Sequence, residues 1–512
     1  MDSFVVLIIV VGCIFYLGYI WGKSQRVTPL KSRRNKSPKP FQDGSINKSL
    51  IVTQTQKTSS ASSDASQLLH QRLGSLDLST IDIQRSAEWD CALELLAGKT
   101  KCIFITGEAG TGKSTLLKHF VTNTNKSVVV LAPTGVAALN VGGQTIHSFF
   151  GFQWGAVQNF NGTPYRGELF QAVDTFIIDE ISMVRADLLD AVDQALRLNR
   201  NQPDAPFGGA QMVFFGDLFQ LPPVVKGRIE GQYFTQFYSS PFFFDAKVFQ
   251  NMNNELNTVK LKTVYRQTED SNFMSILSRV RINRVTDDDL GTINRRIISN
   301  FDPSPDEGYI ELTTNNQMAN VKNENELQKL PLPEKEYRGT VDGVFKKEQY
   351  PTDFTLRLRI GAQVMLITND TGRRWVNGTI AIIEELNQES ITLRIPTPPS
   401  QPDRICEIGR HIWNVCQYRI DFATGKLESD IVGSFTQFPL KLAWAITIHK
   451  SQGKTLDRAI VNLSEGTFAH GQAYVALSRC STLNGLVLRS PFRRRDIIVD
   501  PRVFRFSNLI RE

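Results

Sequence analysis

The residues with the clearest chemistry are Gly107-Glu-Ala-Gly-Thr-Gly-Lys-Ser114, which fit the phosphate-loop pattern G-x-x-x-x-G-K-[ST]. Backbone N–H groups of such a loop converge on a polyphosphate, so Gly107, Ala109, Gly110, Thr111 and Gly112 form the expected cradle, with Thr115 just behind it. Lys113 is placed to reach the outer phosphates and Ser114 to hold magnesium. A second apolar run, Thr175 to Ile178, ends in Asp179-Glu180, where Asp179 would hold the metal and Glu180 would position and deprotonate an attacking water. A third, Met212 to Phe215, runs into Gly216-Asp217-Leu-Phe-Gln220-Leu-Pro-Pro223, and Gln220 is expected to touch the terminal phosphate and report its presence.

These residues must be held by strands whose ends meet. The run Cys102 to Ile105 reads as a buried strand before the loop, and Thr115 to Phe120, without Gly or Pro, reads as the start of a helix after it. Strands alternating with helices predict an α/β fold. A chain of 512 residues exceeds one core, and two to four domains are expected. From Leu356 to Ile395 the pattern changes: Gly361-Ala-Gln-Val-Met-Leu366, the turn Asn377-Gly378 and the runs Thr379 to Glu384 and Ser390 to Ile395 read as a small β-barrel.

Hydrophobic residues make up 41% and charged residues 21% of the chain, which suits a folded globular body. The net charge of +7 sits in one place, because residues 23–57 hold about nine Lys and Arg against the single acid Asp43. The body is therefore near neutral, and nucleic-acid binding by it would need local grooves and stacking rings. Six scattered cysteines form no C-x-x-C pair and meet no His at zinc spacing, which argues against a metal–cysteine site and for buried free thiols in a reducing compartment.

Phe4 to Trp21 carries no charge and is followed by Lys23, Arg26, Lys31, Arg33 and Arg34. Length, aromatic residues at the far end and the basic flank predict a single-pass transmembrane anchor over 1–22 with the body on the cytoplasmic side. A cleaved signal peptide would carry its basic residues earlier and a small-residue cleavage site later. Residues 23–72, rich in Ser, Thr, Gln and Lys, read as a flexible basic linker able to rest on anionic lipid.

Further blocks carry a resemblance. Ala132-Pro-Thr-Gly-Val-Ala-Ala-Leu-Asn-Val-Gly-Gly-Gln-Thr-Ile-His147-Ser-Phe149, Glu180 to Leu196, Val264-Tyr-Arg266-Gln267, Leu442 to Asp457 and Gln472-Ala-Tyr-Val-Ala-Leu-Ser-Arg479 follow the nucleotide motifs in order. From about Leu76 to about Leu488 the chain resembles the PIF (petite integration frequency) DNA helicases, a branch of helicase superfamily one that moves 5′ to 3′. The resemblance implies two RecA-like P-loop NTPase domains, at 73–258 and at 259–335 with 436–512. It also implies an SH3-like β-barrel insertion at 336–435 and a short wedge at about 152–168.

By the same resemblance, Arg266 and Arg479 enter the nucleotide cleft from the second domain, Gln452 and Gly453 lie near the terminal phosphate, and Gln84 reads the adenine. Pro133, Thr134, Gly135, His147, Phe149, Thr447, His449 and Lys450 would contact DNA. Taken alone, His147 and Phe149 read as core residues, and Val184, Leu188, Val192 and Ala195 recur at helical spacing as a packing face. The implied activity is ATP- and Mg2+-dependent unwinding by a monomer on single-stranded or tailed duplex DNA, in replication, repair, recombination or telomere maintenance. The rivals are a membrane-attached, ATP-switched tether for single-stranded DNA that does not unwind and a RecD-like helicase.

Overall fold

Strands buried on both faces at the sheet centre, interleaved with covering helices, build the first sheet. The computed structural model describes residues 86–152, 167–250, 256–264, 270–370, 372, 374–397, 402–421 and 427–510. Its first six strands are β1 (Cys102–Gly107), β2 (Val128–Ala132), β3 (Gln144–Thr145), β4 (Thr175–Ile178), β5 (Gln211–Gly216) and β6 (Leu256–Leu261). They pair in parallel in the order β3-β2-β4-β5-β1-β6. The two-residue side-chain period of a strand divides the core. Cys102 and Phe104 face one layer with Phe149, Phe176 and Phe214, while Ile103 and Ile105 face another with Trp89, Leu116 and Val213. This order sets β4, β5 and β1 side by side, so Asp179, Asp217 and the phosphate loop all leave the same edge of the sheet.

The second lobe is a parallel sheet of β7 (Ile310–Thr313) with three strands from much later in the chain. Between them lies an antiparallel insertion made of β8 (Lys335–Arg338), β9 (Thr340–Gly343), β10 (Thr355–Leu358), β11 (Gln363–Leu366), β12 (Ile380–Leu386), β13 (Ile391–Ile395), β14 (Arg404–Ile408), β15 (His411–Ile420), β16 (Leu427–Gln437) and β17 (Leu440–Leu442). The chain then returns through β18 (Ala445–Thr447), β19 (Ala459–Val461) and β20 (Leu486–Leu488), giving the order β18-β7-β19-β20. Within the insertion the orders are β14-β13-β12-β11-β17, β15-β16-β9 and β10-β8. In β13 alternate residues are buried, and Ile391, Leu393 and Ile395 meet Val364, Ile383 and Phe438 in a core of their own.

The hairpin β15–β16 reaches the first lobe. The Val130 N–H donates to Tyr418 Oη at 3.3 Å, and the Gln144 amide donates to the Cys416 carbonyl. These contacts satisfy backbone and side-chain groups near the short edge strand β3, where the sheet would otherwise be open.

The expected fold class is corrected on one point. Among the described residues no helix is long and apolar enough to cross a membrane. The described residues therefore form an α/β protein of two parallel-sheet lobes with an antiparallel insertion, with no spanning helix among them. A single-pass membrane anchor, and with it the membrane localisation and the membrane as a partner, is accordingly not supported. Residues 1–22, on which the anchor was read, the linker 23–72 and wedge positions 153–166 lie outside the described residues.

Candidate active site and nucleic-acid face

The phosphate loop is shaped by contacts that exclude side chains. A Cβ on Gly107 would lie 2.6 Å from Thr111 Oγ1 and 2.7 Å from the Leu261 carbonyl. Gly112, at φ +82°, caps the helix Lys113–Asn123 from the left-handed region that glycine enters without penalty. Lys113 Nζ donates to the carbonyls of Gly107 (2.8 Å) and Glu108 (2.9 Å), so its amine is parked on the loop it is expected to serve. Burial pushes the Lys113 pKa down, against the pull of Asp217, Glu180 and Asp179. Ser114 is exposed at the mouth of the loop and Thr115 is half-buried.

Asp179, buried, and Glu180, half-buried, follow β4 as adjacent carboxylates. Burial raises the pKa of both, and Asp179 is raised further by Glu180. Glu180 adopts φ +52°, an unusual conformation for a residue with a side chain, which turns its carboxylate toward the second lobe. There Gln452 Nε2 donates to Glu180 Oε2 (3.1 Å) and to Gln220 Oε1 (3.3 Å). Gln220 Nε2 in turn donates to Asp217 Oδ2 at 3.4 Å. One side chain of the second lobe thus touches both groups expected to handle water and terminal phosphate.

Other contacts between the lobes were not foreseen. Arg281 Nη2 lies 2.7 Å from Asp217 Oδ1, with both side chains buried, and the guanidinium sits 4.2 Å from the Phe219 ring centre. Burial works against the Asp217 charge, but Arg281 and Lys113 hold its pKa below the usual value. Ser278 Oγ donates to Glu108 Oε2 (2.8 Å), and the Ala109 N–H donates to Tyr474 Oη (3.1 Å). Asp217 lies in the motif that follows β5, yet nothing in local spacing marks Arg281 or Tyr474 as its neighbours.

Arg479 is 1% exposed and lies close enough to lower the Glu180 pKa. Its N–H groups donate to Val475 O, Lys454 O and Ser478 Oγ. Gly453 takes φ +78° beside Gln452. Gln84 and Arg266 lie outside the described residues.

The expected nucleic-acid residues divide in two. Thr447 is buried at the end of β18, where its hydroxyl accepts from the Lys450 N–H (3.2 Å), while His449 is half-buried and Lys450 exposed. On the first lobe, the Thr134 hydroxyl caps the helix Gly135–Asn140 by accepting from the Ala137 N–H (3.2 Å). A Cβ on Gly135 would lie 3.2 Å from Gln349 Cα, so the insertion covers the turn that begins at Pro133. His147 is half-buried in the helix Ile146–Phe150, and burial pushes its pKa down. Phe149 needs correction. At 1% exposure, with Phe150, Phe170, Phe176 and Tyr418 at 5.1–6.0 Å between ring centres, it is a core ring with no face for a base.

A model of the PIF1-like helicase family matches residues 84–290. The ATP-dependent DNA helicase Pif1 of Bdellovibrio bacteriovorus is 34% identical over 434 residues, covering 83% of this chain and 92% of that protein. The chain belongs to the PIF1-like helicase family. It spans 60–64% of the length of the vertebrate relatives it matches. The crystal structure of a Bacteroides Pif1 with ADP-AlF4 superposes with a TM-score of 0.76 at 37% identity, covering 83% of this chain and 97% of that one. That of Bacteroides Pif1 bound to single-stranded DNA gives 0.60 at 36% identity, covering 83% and 96%. These neighbours identify the two parallel-sheet lobes as RecA-like domains.

Proposed function

We propose that this chain is an ATP-dependent DNA helicase that walks 5′ to 3′ along single-stranded DNA and separates duplex ahead of it. The observation that carries the reading is the bridge from Gln452 to Glu180 and Gln220, which ties a second-lobe segment adjoining His449 and Lys450 to the expected hydrolytic residues. Family membership and a relative solved with single-stranded DNA support the same reading.

In this mechanism Lys113 leaves the Gly107 and Glu108 carbonyls to bind the outer phosphates. Glu180, its affinity for protons raised by burial, accepts the proton of the attacking water. Gln220 and Gln452 sense the terminal phosphate, and Gln452 Oε1, a buried acceptor without a hydrogen-bond partner, is available to orient the water. Arg479 and Arg266 supply positive charge from the second lobe, which makes hydrolysis depend on closure of the cleft.

Ser114 and Asp179 would hold Mg2+. The adjacent, mutually repelling carboxylates of Asp179 and Glu180 suit a nearby cation, and Mg2+ is commonly held by one or two protein carboxylates together with phosphate oxygens. When bound, it neutralises charge on the phosphates.

Unwinding of duplexes with a 5′ or a 3′ single-stranded tail tests the proposal. ATP-dependent separation of the 5′-tailed duplex alone is expected. A preference for the 3′ tail would reject the polarity, and ATP turnover without separation of either duplex would replace the helicase by an ATP-switched binder.

A further inference from the structure

Phe468 is the most exposed phenylalanine among the described residues, at 66% accessibility, although a ring of that size gains from burial. The segment around it is tied down. The Phe468 N–H donates to Oε1 of the buried Gln472 (3.0 Å), and Thr467 Oγ1 donates to the Asp496 carbonyl (2.8 Å). His470 Nε2 donates to the Leu218 carbonyl (2.7 Å). A Cβ on Gly471 would lie 2.3 Å from Phe219 O and 2.4 Å from Gln220 O. A ring held outward by so fixed a segment is presented to something.

Its neighbour shows what that is. The Phe468 and His449 rings lie 6.4 Å apart between centres with planes 18° from parallel, so both offer flat faces in nearly one orientation. Lys450 follows His449 and is exposed. Lys441 and Lys454 are close enough to repel. Burial and the Lys441 charge push the Lys454 amine down to about 8, and it donates to the neutral Asn377 Oδ1. Burial and Lys450 push Lys441 down as well. Parallel rings beside a cluster of cations match a strand whose bases stack while its phosphates meet positive charge.

We propose that Phe468 and His449 form a stacking platform for a base of single-stranded DNA on the second lobe, with Lys441, Lys450 and Lys454 supplying charge for the adjoining phosphates. This rests on the reading of the chain as a single-strand motor and adds a contact residue to it. The platform also lies three residues from Gly471, which abuts Gln220, and four from Gln472, which opens the helix Gln472–Leu477 leading to Arg479. A base seated on Phe468 therefore bears on the segment that adjoins both phosphate-handling residues.

The test is anisotropy of a labelled oligothymidylate on the full-length protein across a salt series. F468A and F468L are expected to weaken binding about tenfold without changing the salt slope, because a stack is lost and no phosphate contact. F468W should restore near-native affinity, which separates the need for a ring from any folding effect. K450A should flatten the salt slope. If F468A or F468L binds within twofold of wild type while K450A weakens binding, the platform is overturned and the single-strand reading stands. If wild-type protein binds no oligothymidylate at any salt, the functional reading fails and the platform with it.

Discussion

The buried pair Arg281–Asp217 offers the sharpest energetic test, because it fastens one lobe to the other beside the nucleotide cleft. The Asp217 side chain is fully buried and that of Arg281 is 5% exposed, with 2.7 Å between nitrogen and oxygen. Arg281→Met keeps much of the volume but leaves a buried carboxylate without its cation. Breaking one side of such a pair costs about 3–5 kcal/mol. At about 2–4 °C per kcal/mol for a unit of lobe size, the melting temperature should fall by about 6–20 °C. Asp217→Asn in the same molecule removes the stranded charge, so the double variant should recover more than half of the loss. Thermal unfolding of the four proteins in a double-mutant cycle measures this. A loss below about 1 kcal/mol for Arg281→Met, or additive effects, would refute the claim that the pair is a desolvated clamp.

Lys113→Ala and Glu180→Gln should each abolish ATP turnover, as steady-state hydrolysis would show, and a rate near wild type in either would reject the site. Phe149→Ala should behave as a core cavity costing about 3–5 kcal/mol in unfolding experiments, and a normally stable variant with selectively weakened DNA binding would return the ring to the strand path. The Asp179 pKa is raised, to about 7, so the native state holds that proton more tightly than the unfolded chain. Its contribution to stability is thus present at acid pH and is lost as pH rises from the ordinary Asp range of about 4 toward 7. Melting scans should accordingly show Mg2+ with ADP stabilising the protein more at pH 8 than at pH 5, and the reverse order would contradict the assignment of Asp179 to the metal.

The phosphate loop and the Asp179-Glu180 pair were readable in the chain because their chemistry is local: eight consecutive residues, or a strand and the two acids after it. The strands that became β1, β4 and β5 were readable as apolar runs ending in those motifs, but their order in the sheet was not. Contacts made across long separations were not readable. Arg281 meets Asp217 from 64 residues away and Tyr474 meets Ala109 from 365, and neither has a sequence period or motif of its own. Phe149 shows the opposite error. It lies in a block whose resemblance suggested a strand contact, but pairing of β2 with β4 and docking of the β15–β16 hairpin surround it with Phe176 and Tyr418. The apolar run near the start met the length and charge conditions for a spanning helix but lies outside the described residues, and no described helix meets those conditions.

Hydrolysis of ATP by the full-length protein, with and without single-stranded DNA, bears most directly on the idea that one cleft between two lobes couples nucleotide to strand. Saturating oligothymidylate should raise the turnover rate severalfold or more, and Gln452→Ala, which breaks the bridge to Glu180 and Gln220, should remove most of that gain. Equal rates with and without DNA in the wild-type protein would contradict the account.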